Sequence, residues 1–271
     1  MMKKALCVGI NKFKNYHEND LSGCVNDAAD MKLLLTKYMG FNPEEITTLT
    51  DSKATKTAIM KNLKSMVDGA RKGKYDELAF SLSSHGTQIP DTSGDESDRA
   101  DEAFCPHDLA SKGNMWDPDH VITDDELHDM FTQLPENVPL EVYLDTCHSG
   151  TGLKAMEPLP DRKPRYIPPP SAMAFKNIDM VPKMAQPLLS KAEEHVLWAA
   201  CKSDQTSADA FIGGDYHGAF TYFFCKEVND NKNQLSRDEV LKMVAADLKN
   251  GKYTQTPQLE CDATTRGKCF G

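Results

Sequence analysis

Apolar positions along the chain gather into five short runs, "ALCVGI" (5–10), "EITTLTD" (45–51), "ELAFSLSSHG" (77–86), "LEVYLDTCHSG" (140–150) and "HVLWAACKS" (195–203). Near-continuous apolar runs of this length suit parallel strands buried on both faces. Between them the period changes to that of a helix. From near Gly23, Val25, Ala28, Met31, Leu35 and Tyr38 recur at helical spacing until Gly40 supplies a stop, and a second helix is expected over 55–70. Thr123 with Glu126 three residues on is a capping box opening a helix toward Leu134, closed by Pro135; Ser236 with Glu239 repeats the device and opens a helix ending at Gly251. A further helix is expected over 218–228. The alternation predicts an α/β fold with a mostly parallel central sheet and helices on both faces, a three-layer sandwich.

Two stretches break the rhythm. Residues 87–120 are polar, acidic and rich in turn formers, which predicts a functional or disordered loop. Residues 151–190 contain "PLPDRKPRYIPPP", whose prolines and basic cluster predict an exposed, extended segment open to proteolysis. At 271 residues the chain suits one large domain, with a first part over 1–150, a connecting segment over 151–190 and a final part over 191–271.

Composition narrows the class. No apolar stretch approaches the length of a membrane span, and the start, "MMKKALCVGI", is interrupted too soon for a signal h-region, so a cytoplasmic protein with little ahead of its first strand is expected. Eight irregularly spaced cysteines then read as reduced thiols. A net charge of −10 disfavours nucleic acid and anionic membranes and favours a cationic partner.

Ligands of open α/β sheets collect at the carboxyl ends of strands, and two runs end in reactive groups there: "SLSSHG" in His85 and "YLDTCHSG" in Cys147. An imidazole beside a thiol lowers its pKa and can later protonate a leaving amine, so the two make chemical sense as base and nucleophile. His148 is closer in sequence, but successive residues leaving a strand point to opposite sides. A zinc site built from Cys147, His148, Cys105 and His107 lacks paired ligand spacing. "DTSGDESDRADE" matches EF-hand positions at Asp91, Ser93, Asp95 and Glu102, yet Glu96 stands where the turn glycine is required, so an acidic loop is the better reading.

Taken in order, "GCVNDAADM", "SSHGTQ", "GDESDRADEAFCPHD", "ITDDELHDMF", "LDTCHSG", "CKSDQTSADA" with "HGAFTYFF", and "TPQLE" resemble the metacaspases and their bacterial orthocaspase relatives, over residues 5–262. The resemblance implies a caspase-haemoglobinase fold and a cysteine endopeptidase cutting polypeptides after Arg or Lys. It implies His85 as base, Cys147 as nucleophile, and the backbone N–H groups of Gly86 and Cys147 as an oxyanion hole, where one donor is typically worth on the order of 100-fold in rate. It also implies a substrate pocket walled by Asp27 and Asp145, with Cys24, Ser203 and Asp204 at its borders. Two carboxylates can receive a guanidinium in forked hydrogen bonds and reject an acidic residue.

The family's calcium ligands map onto Asp101, Asp124 and Asp125, although Lys154 stands near the place of a further aspartate. "SSHG" departs from the commoner SGHG at Ser84. Lys154, Arg162, Lys163 and Arg165 lie just after the nucleophile and carry the enzyme's own preferred residue type, which makes them self-cleavage candidates. A monomer is expected. The rival reading is a catalytically silent scaffold of the same fold, binding calcium or peptide.

Overall fold

The computed structural model describes residues 2–90, 100–147, 161–171, 188–189 and 195–271. The chain opens with β1 (Lys3–Gly9), α1 (Cys24–Tyr38), β2 (Ile46–Thr50), α2 (Lys56–Arg71) and β3 (Glu77–Ser83). There follow β4 (Gly86–Pro90), β5 (Ala100–Phe104), β6 (Ser111–Lys112), β7 (Met115–Trp116), β8 (Ile122–Thr123), α3 (Asp124–Phe131), β9 (Leu140–Asp145) and β10 (Arg162–Pro164). The last part comprises β11 (His195–Ala199), β12 (Ala208–Ile212), β13 (Asp215–Gly218), α4 (Ala219–Asp230), α5 (Arg237–Asn250), β14 (Gln258–Glu260) and α6 (Ala263–Arg266).

All five apolar runs enter one six-stranded sheet in the order β14-β11-β9-β3-β1-β2, parallel except for β14. After reaching the β2 edge the chain returns to β3 on the other side of β1, so the direction of winding reverses between β1 and β3. Crevices form at such reversals, beyond the strands' carboxyl ends.

The pleat sorts each strand between two cores. Leu6 and Val8, Leu78, Phe80 and Leu82, and Leu140, Val142 and Leu144 face Ile59, Leu63 and Val67 of α2 and Leu127 and Phe131 of α3. Ala5, Cys7, Ala79, Tyr143, Val196 and Trp198 face the opposite layer of α1, α4 and α5. Phe80 is fully buried with its ring centroid 6.2 Å from that of Phe131. Truncating such a side chain to alanine costs about 3–5 kcal/mol.

Local signals translate directly. Both capping boxes form, Thr123 with Glu126 and Ser236 with Glu239, and Gly40 takes a left-handed φ of 72° just past α1. Three expectations need correction. In α1, Leu34 rather than Val25 is buried, because the helix is covered by α4 as well as by the sheet. α3 ends at Phe131, short of Leu134, with Thr132 as its C-cap. Residues 87–90 and 100–120 carry regular structure: β4, β5 and β8 form an antiparallel sheet, β6 and β7 a hairpin, and Phe104, Leu109 and Trp116 are buried. The acidic stretch 91–99 of the EF-hand comparison lies outside the described residues. No helix among the described residues is long and apolar enough to cross a membrane.

Candidate active site

The ends of β3 and β9 lie side by side, with Ser83 the register partner of Asp145. The chain then continues to His85 on one strand and Cys147 on the other. Three carboxylates converge behind them: Asp27 from the first turn of α1, Asp145 from the end of β9 and Asp209 from β12, all buried. Their common partner is Arg165, from the segment expected to be exposed, whose side chain is fully buried.

Arg165 Nη2 donates to Asp27 Oδ2 at 2.7 Å and to Asp209 Oδ1 at 2.9 Å. Its Nη1 donates to Ser83 Oγ at 2.6 Å and to the Asp145 carbonyl at 3.1 Å, and lies 3.2 Å from Asp145 Oδ1. Each carboxylate is held by further donors. Gly218 N–H reaches both oxygens of Asp27 at 2.9 and 3.1 Å. Thr221 at the N-terminus of α4 donates its N–H and hydroxyl to Asp145 Oδ2 at 3.0 and 2.8 Å, and Ser207 Oγ donates to Oδ1 at 2.6 Å. Ser22 N–H and Gly23 N–H anchor Asp209 at 2.9 and 3.0 Å.

The pocket has no slack. A Cβ on Gly218 would stand 2.2 Å from Asp145 Oδ2 and 2.4 Å from Arg165 Nη1, so only glycine fits there. Three carboxylates facing one guanidinium leave an excess of negative charge. Burial pushes Asp27 up to about 6, the neighbouring Asp145 adds to the rise, and Arg165 opposes it.

The backbone around Arg165 is extended and paired on both sides. Arg162–Pro164 form β10, antiparallel to β12, with Pro164 on an edge strand where a missing N–H is tolerated. Arg165 N–H donates to the Ser207 carbonyl at 3.0 Å, Gly86 N–H donates to the Arg165 carbonyl at 3.0 Å, and Ile167 N–H donates to the Gly86 carbonyl at 3.0 Å. Tyr166 and Ile167 are buried as well. The expectation of an exposed segment therefore fails over 162–167: strand pairing and the acidic pocket hold what the prolines and charges would otherwise leave in solvent.

The other basic residues point elsewhere. Arg162 donates to the carbonyls of Gly251 and Lys252 at 2.8 and 2.9 Å, and Lys163 to those of Glu18 and Asp20 at 3.0 and 2.7 Å. Lys154 and His148 lie outside the described residues.

His85 is buried, and its Nε2 donates to the Asn19 carbonyl at 2.7 Å. A carbonyl only accepts, so Nε2 carries the proton and the neutral ring presents a lone pair at Nδ1, a buried atom with no hydrogen-bond partner among the described residues. Burial holds His85 down at about 4, with the Asn19 bond opposing. Cys147 is fully buried, receives the Ser207 N–H at its sulfur, and clusters with Tyr166 and Cys201.

Cys24 is buried at the start of α1, its thiol pushed up by burial with the Arg165 charge opposing. Ser203 is half-buried and Asp204 exposed in the turn after β11. Of the zinc candidates, Cys105 is packed in the apolar core and the His107 ring bonds the Lys12 carbonyl at 2.6 Å. Asp124 and Asp125 occupy the first turn of α3, with Asp125 N–H on Asp124 Oδ1 at 3.0 Å, whereas the side chain of Asp101 lies outside the described residues. Among the described residues no group of three His, Cys, Asp or Glu side chains is arranged to hold a metal.

Sequence reasoning missed Asp209, Asn19, Ser83 and Ser207. Asp209 stands in "TSADA" between two alanines, and a lone carboxylate set between small apolar residues was the available signal. Asn19 acts through its main-chain carbonyl, which leaves no trace in residue type.

A family profile described as "Metacaspase, peptidase C14 domain" matches residues 3–156. Metacaspase-1A of Aspergillus niger is 31% identical over 96% of this chain and 70% of its own length. Among solved structures, a protein of Geobacter sulfurreducens superposes with a TM-score of 0.71 at 23% identity, covering 100% of both chains. Caspase-1 of Spodoptera frugiperda superposes with a TM-score of 0.61 at 12% identity, covering 99% of this chain and 90% of that one, a likeness of fold. The chain belongs to the metacaspases, caspase-like cysteine peptidases of the C14 class.

Proposed function

We propose that the protein is an endopeptidase that cuts after Arg or Lys and that its first substrate is itself, at the bond following Arg165. The observation that carries this reading is the seating of Arg165, with its guanidinium among Asp27, Asp145 and Asp209 while its carbonyl accepts the Gly86 N–H. An extended strand lying between a sheet edge and a pocket is how a peptide adds to a sheet, with main-chain hydrogen bonds giving affinity and the pocket giving specificity. Residues 162–167 have that form.

In this reading Cys147 attacks the carbonyl carbon of the residue seated as Arg165 is. The Gly86 N–H supports the developing oxyanion, and the lone pair at His85 Nδ1 takes the thiol proton. The same proton passes to the departing amine, that of Tyr166 in the first turnover, and water then releases the acyl group from sulfur. A low proton affinity at His85 keeps the ring neutral, and so able to accept, until the thiol gives up its proton. The Asn19 carbonyl fixes the tautomer.

Mass spectrometry of the purified chain tests this directly. A new C-terminus at Arg165 and a new N-terminus at Tyr166, both absent from Cys147→Ala, are expected. Cleavage after Lys154, Arg162 or Lys163 in place of Arg165 would overturn the choice of site, and cleavage persisting in Cys147→Ala would overturn the nucleophile.

Calcium dependence is proposed on family likeness alone, with Asp101, Asp124 and Asp125 as the oxygen ligands, and no step above runs through the ion. Calcium is expected to raise the rate of self-cleavage, and the double substitution Asp124→Asn, Asp125→Asn to blunt the response. A wild-type rate equal in calcium and in chelator removes this proposal.

A further inference from the structure

Cys147 has a second thiol as its neighbour. The sulfur of Cys201 lies 4.0 Å from that of Cys147, and both side chains are buried. Their closeness follows from the sheet. β9 and β11 are adjacent and parallel, Leu144 pairs with Ala199, and the Ala200 N–H donates to the Leu144 carbonyl at 2.9 Å where the two strands end. Adjacent strands run about 4.8 Å apart, inside the roughly 4.4–6.8 Å span of Cα atoms that a disulfide bridges. Cys201 Sγ also donates to the Thr146 carbonyl at 3.6 Å, which places its side chain against the residue preceding the nucleophile. A bond needs the sulfurs to approach from 4.0 Å to about 2.05 Å, within reach of side-chain rotation.

We propose that Cys201 is the resolving cysteine of the nucleophile, so that peroxide converts Cys147 and Cys201 into a reversible disulfide that silences the site and spares it from irreversible oxidation. The Cys147 thiolate attacks the peroxide oxygen and becomes a sulfenic acid, releasing hydroxide, which takes up a proton to leave as water. The sulfur of Cys201, having lost its proton, then attacks the Cys147 sulfur and the sulfenic oxygen departs as a second water. Two thiols and one peroxide give one disulfide and two waters. A dithiol reductant reverses the change.

The local electrostatics set the order of events. The hydrogen bond from Cys201 to the Cys147 sulfur, followed by burial, pushes the Cys201 thiol well up, so it is a proton donor rather than a nucleophile while Cys147 is reduced. Once Cys147 is a sulfenic acid, its sulfur is an electrophile rather than the acceptor of the Cys201 hydrogen bond, and Cys201 becomes the attacking group. Tyr166 clusters with Cys147 and Cys201, so displacing residues 162–167 removes a buried neighbour of the pair.

This inference rests on Cys147 being the nucleophile. The test keeps the two ideas separable because its primary readout is covalent. Full-length protein and its Cys201→Ser and Arg165→Ala variants are treated with graded hydrogen peroxide, alkylated, digested without reductant and mapped by mass spectrometry. A peptide linking Cys147 to Cys201 is expected in wild type, formed faster in Arg165→Ala, where the segment that carries Tyr166 loses its anchor. In Cys201→Ser, Cys147 should advance to sulfinic acid. Each protein's peptidase activity, normalised to its own untreated sample, should recover with dithiothreitol several-fold more completely in wild type than in Cys201→Ser. Sulfinic Cys147 in wild type with Cys201 still alkylated, or equal recovery in the two proteins, overturns the proposal. A linked peptide in a chain whose Cys147→Ala variant still cleaves would instead overturn the nucleophile and leave the thiol pair standing.

Discussion

Replacing Arg165 by alanine separates the two consequences of its burial, one for stability and one for access. Removing one partner of a buried ion pair typically costs about 3–5 kcal/mol, because the charge left behind is uncompensated. Here three carboxylates would be left without their cation, and Asp27 already stands at about 6 with the guanidinium in place. Water entering the vacated space works against the loss, so the lower end, about 3 kcal/mol near pH 7, is expected in urea denaturation. The loss should shrink toward pH 4 as Asp27 takes up its proton. A small guanidine such as N-acetylarginine amide should restore stability to the variant, by about 2.7 kcal/mol at a hundred times its dissociation constant, and should leave wild type unchanged because its pocket is filled. The variant should also cleave arginyl peptides without a lag, since a tethered occupant acts at an effective concentration in the millimolar range. An Arg165→Ala protein as stable as wild type and indifferent to the guanidine would refute the pocket as described.

Asp27→Asn and Asp209→Asn each remove one charge-assisted hydrogen bond to the guanidinium and should lower kcat/KM on arginyl peptides roughly 30- to 150-fold, about 2–3 kcal/mol. Folding is checked by the melting temperature, and an unchanged rate for Asp209→Asn would remove it from the pocket. Stability against pH tests the two displaced titrations. Asp27 is raised from 3.8 to about 6, so its contribution is present in full below pH 4 and is lost as pH rises through 6. His85 is lowered from 6.5 to about 4, so its contribution is present in full above pH 6.5 and is lost as pH falls through 4. Each is worth about 3 kcal/mol and the two slopes oppose between pH 4 and 6. Relative to wild type, Asp27→Asn should gain stability as pH rises through that window and His85→Gln should lose it; parallel curves for all three proteins would contradict both assignments. Gly218→Ala should abolish arginyl cleavage, since its methyl group would stand 2.2 Å from Asp145 Oδ2.

What could be seen in the chain beforehand was whatever depends on neighbours in sequence. The strands were visible because their apolar runs are continuous, and two helix starts because Thr123 with Glu126 and Ser236 with Glu239 are local hydrogen-bonded devices. His85 and Cys147 stood out because each ends such a run. Arg165 was hidden for the opposite reason. Its partners Asp27 and Asp209 are 138 and 44 positions away, while the prolines around it describe the unfolded segment rather than the groove that receives it. Residues 100–120 misled in a similar way, because short antiparallel strands with polar edges share their composition with loops. Leu34 replaces Val25 in the core because α4 covers a flank of α1 that the amphipathic pattern leaves open.

The central claim is that this site cuts at the carboxyl side of a basic residue, using Cys147 and a pocket of carboxylates. The most direct measurement compares fluorogenic peptides that differ only in ending with Arg, Lys or Asp, offered to wild type and to Cys147→Ala. Hydrolysis of the Arg and Lys peptides by wild type alone, with the Asp peptide untouched, is the predicted result. Hydrolysis of the Asp peptide in preference to the others, or of any peptide equally by Cys147→Ala, would contradict it.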